Sequence, residues 1–99
     1  MSSEFDYQQL DDIIHSRIRL AIMSVLISLD EAEFNFLKKK VNTTDGNLST
    51  HLKKLEDAGY LAVNKSFEDR KPVSRYLLTQ KGKKAFEAYV EHLENMIKK

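Results

Sequence analysis

Four residues in one stretch, Asn47, Thr50, Lys53 and Lys54, are spaced so that a helix turning by about 100° per residue would gather them on one side. Leu48, Leu52 and Leu55 would lie opposite, as a buried face. The chemistry open to such a polar side is recognition of a polyanion rather than bond making. An Asn amide can bond adenine in a bidentate way, a Thr hydroxyl is a short donor and acceptor, and Lys offers a compact charge to a phosphate. A second basic group follows at Arg70, Lys71 and Arg75. Catalytic chemistry has no comparable support: no nucleophile and base pair, phosphate-binding glycine loop or metal-ligand cluster is present. With no cysteine there is no disulfide framework, zinc-finger-type site or thiol nucleophile, and His15, His51 and His92 are far apart in sequence. No cofactor, no metal and no enzymatic activity are expected.

The 99 residues carry a net charge of only +1, but the charge is unevenly placed. Residues 1 to 37 hold seven acids and two bases, net −5; residues 38 to 84 hold twelve bases and five acids, net +7; residues 85 to 99 come to −1. A basic block inside a nearly neutral chain points to one face that attracts a polyanion. A chain this short buries about two-thirds of the surface it exposes when unfolded, so it can form one core but has little room for a deep substrate cavity. Residues 1 to 10 do not read as a signal peptide. The longest apolar-rich stretch, residues 18 to 29, is interrupted by Arg19, Ser24 and Ser28 and is far short of the roughly 20 residues of a membrane span. A soluble, cytoplasmic, single-domain protein over residues 1–99 is expected, with residues 1–12 as an acidic, mobile tail.

The elements that would hold the two basic groups can be placed from periodicity. Ile18, Ala21, Ile22, Val25, Leu26 and Leu29 recur at helical spacing behind Ser16, a plausible N-cap. A shorter helix fits residues 31 to 40, with acids leading and three lysines closing it. Residues 42 to 46 are small and turn-forming, and include Thr44 just ahead of a third helix over residues 45–58 that Gly59 would end in a left-handed C′ position. After Gly59 the period becomes two: Leu61 and Val63, then Tyr76 and Leu78, mark two strands of a hairpin whose polar tip is residues 67 to 72. Thr79 caps a last helix reaching about residue 98.

This order, helix, helix, turn, helix, hairpin, helix, is that of a winged helix-turn-helix. The fold class is α+β, mainly α, with a two-stranded β-hairpin wing and a long C-terminal dimerisation helix. A rigid helix must enter the major groove while flanking bases neutralise phosphates, and a hairpin can reach the neighbouring backbone or minor groove. The expected contacts to double-stranded DNA are Thr44 just before helix 45–58, Asn47, Ser49, Thr50, Lys53 and Lys54 from that helix, and Arg70, Lys71 and Arg75 from wing 66–75. Arg75 has a second option, a pair with Glu68 across the hairpin. His51 lies between the polar and apolar faces and reads as a packing or hydrogen-bonded residue.

The run Leu48-Ser49-Thr50-His51-Leu52-Lys53-Lys54-Leu55-Glu56-Asp57-Ala58-Gly59-Tyr60-Leu61, followed by Lys65-Ser66-Phe67, Arg70-Lys71-Pro72, Tyr76-Leu77-Leu78-Thr79 and Gly82, resembles the small winged-helix regulators grouped as ArsR-like and MarR-like repressors. The resemblance covers residues 13 to 97. It implies a homodimer on pseudo-palindromic promoter DNA, with Asn47, Ser49, Thr50, Lys53 and Lys54 in or beside the recognition-helix contact and Arg70 and Lys71 in the wing. Metal-sensing members depend on cysteine pairs that this chain lacks. Members with aromatic-ligand pockets are usually longer, so a small-molecule effector stays open but has no support in the sequence.

The last helix presents a broad apolar stripe of Phe86, Tyr89, Val90, Leu93, Met96 and Ile97, mixing three- and four-residue steps as helices in bundles do. With Ile13 and Ile14 from the segment around Leu10 to Ile14, it forms the expected dimer interface, residues 86–99 being the dimerisation part. The competing reading is a winged-helix protein–protein interaction module that does not bind DNA.

Overall fold

The computed structural model describes residues 7–98. A 3-10 turn at Tyr7–Gln9 leads to α1 (Arg17–Ile27), where the Ser16 hydroxyl accepts a hydrogen bond from the Arg19 amide. Ile22, Met23 and Leu26 bury the inner face of α1. A two-residue strand, β1 (Ala32–Glu33), precedes α2 (Phe34–Val41). Thus α2 starts three residues later than charge order alone suggests, because Ala32 and Glu33 pair with Tyr76 and Arg75 and are committed to a sheet.

Asn42 ends α2 in the left-handed region at φ 60°, its amide bonded to the Lys38 carbonyl, and Thr44 opens α3 (Asp45–Asp57) by accepting the Asn47 amide at 3.1 Å. Gly59 closes α3 at φ 81°. There the Gly59 amide bonds the Glu56 carbonyl and the Tyr60 amide bonds the Leu55 carbonyl, the paired pattern of a Schellman cap.

The chain then forms β2 (Leu61–Glu68), β3 (Lys71–Leu78) and α4 (Gln80–Ile97). The sheet is antiparallel in the order β1-β3-β2, so the two-stranded wing carries a short third strand at its base. Register pairs Leu61 with Leu78, Val63 with Tyr76, Lys65 with Ser74 and Phe67 with Pro72 on one face. Leu61 and Leu78 join Ile22, Met23, Leu26, Leu37, Leu48, Leu52, Leu55 and Tyr89 in a single core.

Two expectations need correction. The tail placed at residues 1–12 falls outside the described residues for 1–6, but residues 10 to 12 are tied to the domain. The Asp11 carboxylate accepts the Ile13 and Ile14 amides and the Tyr60 hydroxyl, and Leu10 packs on the core. Ile14 and Tyr89, expected at a dimer interface, are 0% and 2% exposed within one chain. The Tyr89 hydroxyl shares a 2.7 Å hydrogen bond with His15 Nδ1, which draws the ring inward. Ile13, Phe86, Val90, Leu93 and Met96 remain half-buried, and Ile97 is exposed.

Candidate nucleic-acid interface

The interface begins with the turn between α2 and α3. Lys38 Nζ lies 2.7 Å from the Asp45 carboxylate, fastening the end of α2 to the first turn of α3. Beside this pair a groove of about 370 Å³ is lined by Asn35, Lys38, Lys39, Asn42 and Thr43. Asn35, Lys38 and Lys39 belong to α2 and Asn42 and Thr43 to the turn after it, and none of them was among the expected contacts. Their signal was the start of the basic block at residue 38, which helix-dipole reasoning accounted for in another way.

Along α3, Leu48, Leu52 and Leu55 are buried, whereas Asn47, Ser49, Thr50, Lys53 and Lys54 are all exposed. The helix therefore stands on its leucines and turns its hydrogen-bonding and cationic side chains outward, as the spacing requires. Thr44 is exposed too, but its hydroxyl oxygen already serves the helix as N-cap. Lys53 Nζ lies 3.0 Å from the Asp57 carboxylate one turn on. That hydrogen bond and the Asp57 charge, with a smaller contribution from Glu56, hold its ammonium above the ordinary lysine pKa. Lys53 is thus charged at any physiological pH.

His51 occupies the flank of α3 and is bound from beneath. An Arg19 guanidinium nitrogen lies 2.8 Å from His51 Nδ1, while Arg19 Nε donates to the Ile13 carbonyl. Because Arg can only donate, Nδ1 must be the unprotonated nitrogen and the ring neutral. Burial, then the charges of Arg19 and Lys54, push the His51 pKa below its usual 6.5. A base whose folded pKa is depressed stabilises the fold above the unfolded value, and that stabilisation is lost as pH falls through the folded value. The thermal midpoint should therefore drop more for the wild type than for His51→Gln when pH is lowered from about 7 to about 5. Parallel melting shifts for the two proteins would contradict this role.

At the wing, β2 and β3 join through Asp69 at φ 51° and Arg70 at φ 67°, the left-handed pair of a two-residue type I′ turn. Asp69 is a residue such turns prefer at the first position, but Arg70 stands where they prefer glycine. Arg70 and Lys71 are exposed at the tip. An arginine in the left-handed region costs about 1 kcal/mol relative to glycine. Arg70→Gly should raise stability by about that amount, an increase of roughly 4–8 °C in the melting midpoint for a domain of this size, while weakening binding to duplex DNA. A destabilised Arg70→Gly protein would show that the turn is not strained.

Arg75 is placed differently from the expectation of a DNA contact. Its guanidinium lies 2.5 Å from Glu68, 3.4 Å from Glu33 and 3.6 Å from Glu31, and it is only 24% exposed. Its pKa is raised first by the Glu68 hydrogen bond, with added contributions from the charges of Glu68, Glu33 and Glu31. Three carboxylates more than balance the Arg75 charge within the chain, so it braces the sheet. Glu31 and Glu33 flank Ala32, whose strand pairing brings them across β3 from more than 40 residues away; hairpin alternation alone could supply only Glu68.

A helix exposing polar and basic residues beside a basic-tipped hairpin, both anchored on one leucine core, defines a winged-helix protein. The chain belongs to the winged helix DNA-binding domain family, whose model matches residues 18–97. It is 40% identical over 86 residues to an uncharacterized protein of Methanocaldococcus jannaschii, covering 87% of this chain and 94% of that one. Its fold is similar to that of a transcriptional regulator homologue from Pyrococcus horikoshii, with a TM-score of 0.87, 27% identity, and coverage of 97% and 95% of the two chains. A MarR-family transcriptional regulator from Silicibacter pomeroyi shares the fold at a TM-score of 0.68 and 19% identity, over 86% of this chain and 56% of that one. Family and fold are those of transcriptional regulators rather than enzymes. No helix among the described residues is long and apolar enough to cross a membrane, and no group of three or more side chains there could hold a metal ion.

Proposed function

We propose that the protein is a sequence-specific, double-stranded DNA-binding repressor that acts in the cytoplasm as a homodimer on a pseudo-palindromic operator. The observation that carries this reading is the division of α3, with Leu48, Leu52 and Leu55 buried and Asn47, Thr50, Lys53 and Lys54 all exposed. In this reading α3 enters the major groove. Asn47 and Thr50, near its N-terminus, meet base edges, while Ser49, Lys53 and Lys54 meet the backbone. Arg70 and Lys71 follow the wing to the adjacent backbone or minor groove, and Thr44 contributes by fixing the start of α3.

Self-association uses the outer side of α4. Phe86 and Val90 line a groove of about 420 Å³ with Ile27, rimmed by Glu87, Glu91 and Glu94, and Ile97 lies exposed beyond it. Leu93, Met96 and Ile13, also half-buried, are assigned to the same interface in this reading. A two-fold axis through this surface would set two recognition helices about 34 Å apart, one turn of duplex. Repression then follows from occlusion of a promoter, with no effector ligand required.

The test is a titration of labelled duplex DNA by fluorescence anisotropy at two salt concentrations. Affinity should fall steeply as salt rises, because each neutralised phosphate releases counterions. Absence of binding at low salt, or binding insensitive to salt, would overturn the reading and favour a protein-interaction module.

A further inference from the structure

The wing tip carries a side chain that phosphate binding does not explain. Phe67 is 77% exposed, far more than an aromatic residue needs for packing, and its cross-strand partner Pro72 is exposed as well. By strand alternation the two share a face with Leu61, Val63, Tyr76 and Leu78, the face that packs on the helical core. The hairpin continues past the core, so this face emerges as an apolar knob at its far end. From half-buried Val63 to Glu68 is five residues, a reach of about 17 Å at strand rise. That matches half a turn of duplex, about 17 Å, the step from a major groove to the next minor groove.

Charge around the knob is arranged for a polyanion. Lys65 lies on the knob's own face, Arg70 and Lys71 lie at the turn, and all three are exposed. Glu68 is on the opposite face and is drawn back to Arg75 at 2.5 Å, which leaves Asp69 as the one acid opposing three bases. An apolar wedge ringed by cations suits a minor groove, where such side chains enter between base steps and unstack them.

We propose that Phe67, backed by Pro72, is a minor-groove wedge that inserts at a base step beside each half-site. It would thereby make the protein select deformable pyrimidine–purine steps, TA or CA/TG, at positions that α3 does not touch. This rests on the DNA-binding reading above and specifies how the wing takes part in it.

The experiment uses the whole chain and mixed-sequence duplex DNA, with TA or G·C-rich steps placed in the minor grooves that flank a half-site. Phe67→Ala removes stacking but no charge, so affinity should fall about tenfold or more with the salt slope unchanged. Preference for TA over G·C-rich flanks should disappear with it. Because the chain contains no Trp, Phe67→Trp adds a single reporter. Its emission should be quenched as anisotropy reports DNA binding. Wild-type affinity in Phe67→Ala, retained flank preference, or Trp emission that responds to protein concentration but not to bound DNA would each overturn the wedge. Failure of the wild type to bind duplex DNA at all would overturn the underlying reading as well, so the two failures are distinguishable.

Discussion

Gly82→Ala is expected to destabilise the protein by about 2 kcal/mol net, with a steric cost of about 3 kcal/mol, the upper end for forcing extra atoms into a packed site. A methyl group on Gly82 would lie 2.1 Å from the Tyr60 carbonyl oxygen, and the obstacle is backbone rather than a side chain that can swing away. The same carbonyl accepts the Thr79 amide, and the Thr79 hydroxyl bonds both the Gly59 carbonyl and the Gly82 amide. These contacts join the end of α3 to the start of α4. Alanine would gain about 1 kcal/mol in helix propensity over glycine, so a steric cost of about 3 kcal/mol leaves a net loss of about 2 kcal/mol. The melting midpoint should fall by roughly 10 °C or more. A midpoint equal to that of the wild type would show that the α3–α4 junction can shift freely.

Joint replacement of Lys53 and Lys54 by Ala should weaken binding about a hundredfold or more for every duplex tested, and lower the salt slope by about 2 per protomer. Both lysines are exposed on the outward side of α3, where they can do little for the fold. Asp57 makes the loss larger: its carboxylate is 3.0 Å from Lys53, so removing the lysine leaves an uncompensated acid on the interface. Asn47→Ala should behave in the other way, changing preference among sequences while leaving the salt slope alone. Equal affinity in the lysine variant would move the DNA surface away from α3.

The parts of the fold that were legible in the sequence are those governed by local rules. Helical spacing of Leu48, Leu52 and Leu55 identified the buried side of α3, and Gly59, Ser16 and Thr79 marked helix ends through backbone geometry and capping that depend only on near neighbours. Where distant segments meet, the sequence was less informative. Strand β1 is two residues long, too short for alternation to register, yet it supplies Glu33 and sets Glu31, the residue before it, beside Arg75, so that an expected DNA contact is engaged in ion pairs within the chain. Tyr89 lay in an apolar stripe that could face a partner, but periodicity does not say which surface covers it. The hydrogen bond to His15 settles that Tyr89 points into its own chain. His51 was rightly read as a hydrogen-bonded residue, but its partner, Arg19, lies 32 residues earlier and only the fold brings them together.

Dimeric reading of DNA by α3 is tested most directly by selection of bound sequences from a random duplex pool with the wild-type protein. Enrichment of a pseudo-palindrome whose half-site centres are about 10 base pairs apart is expected, since two α3 helices related by a two-fold axis must read one face of the duplex. Recovery of unenriched sequences, or of a single site without symmetry, would contradict it.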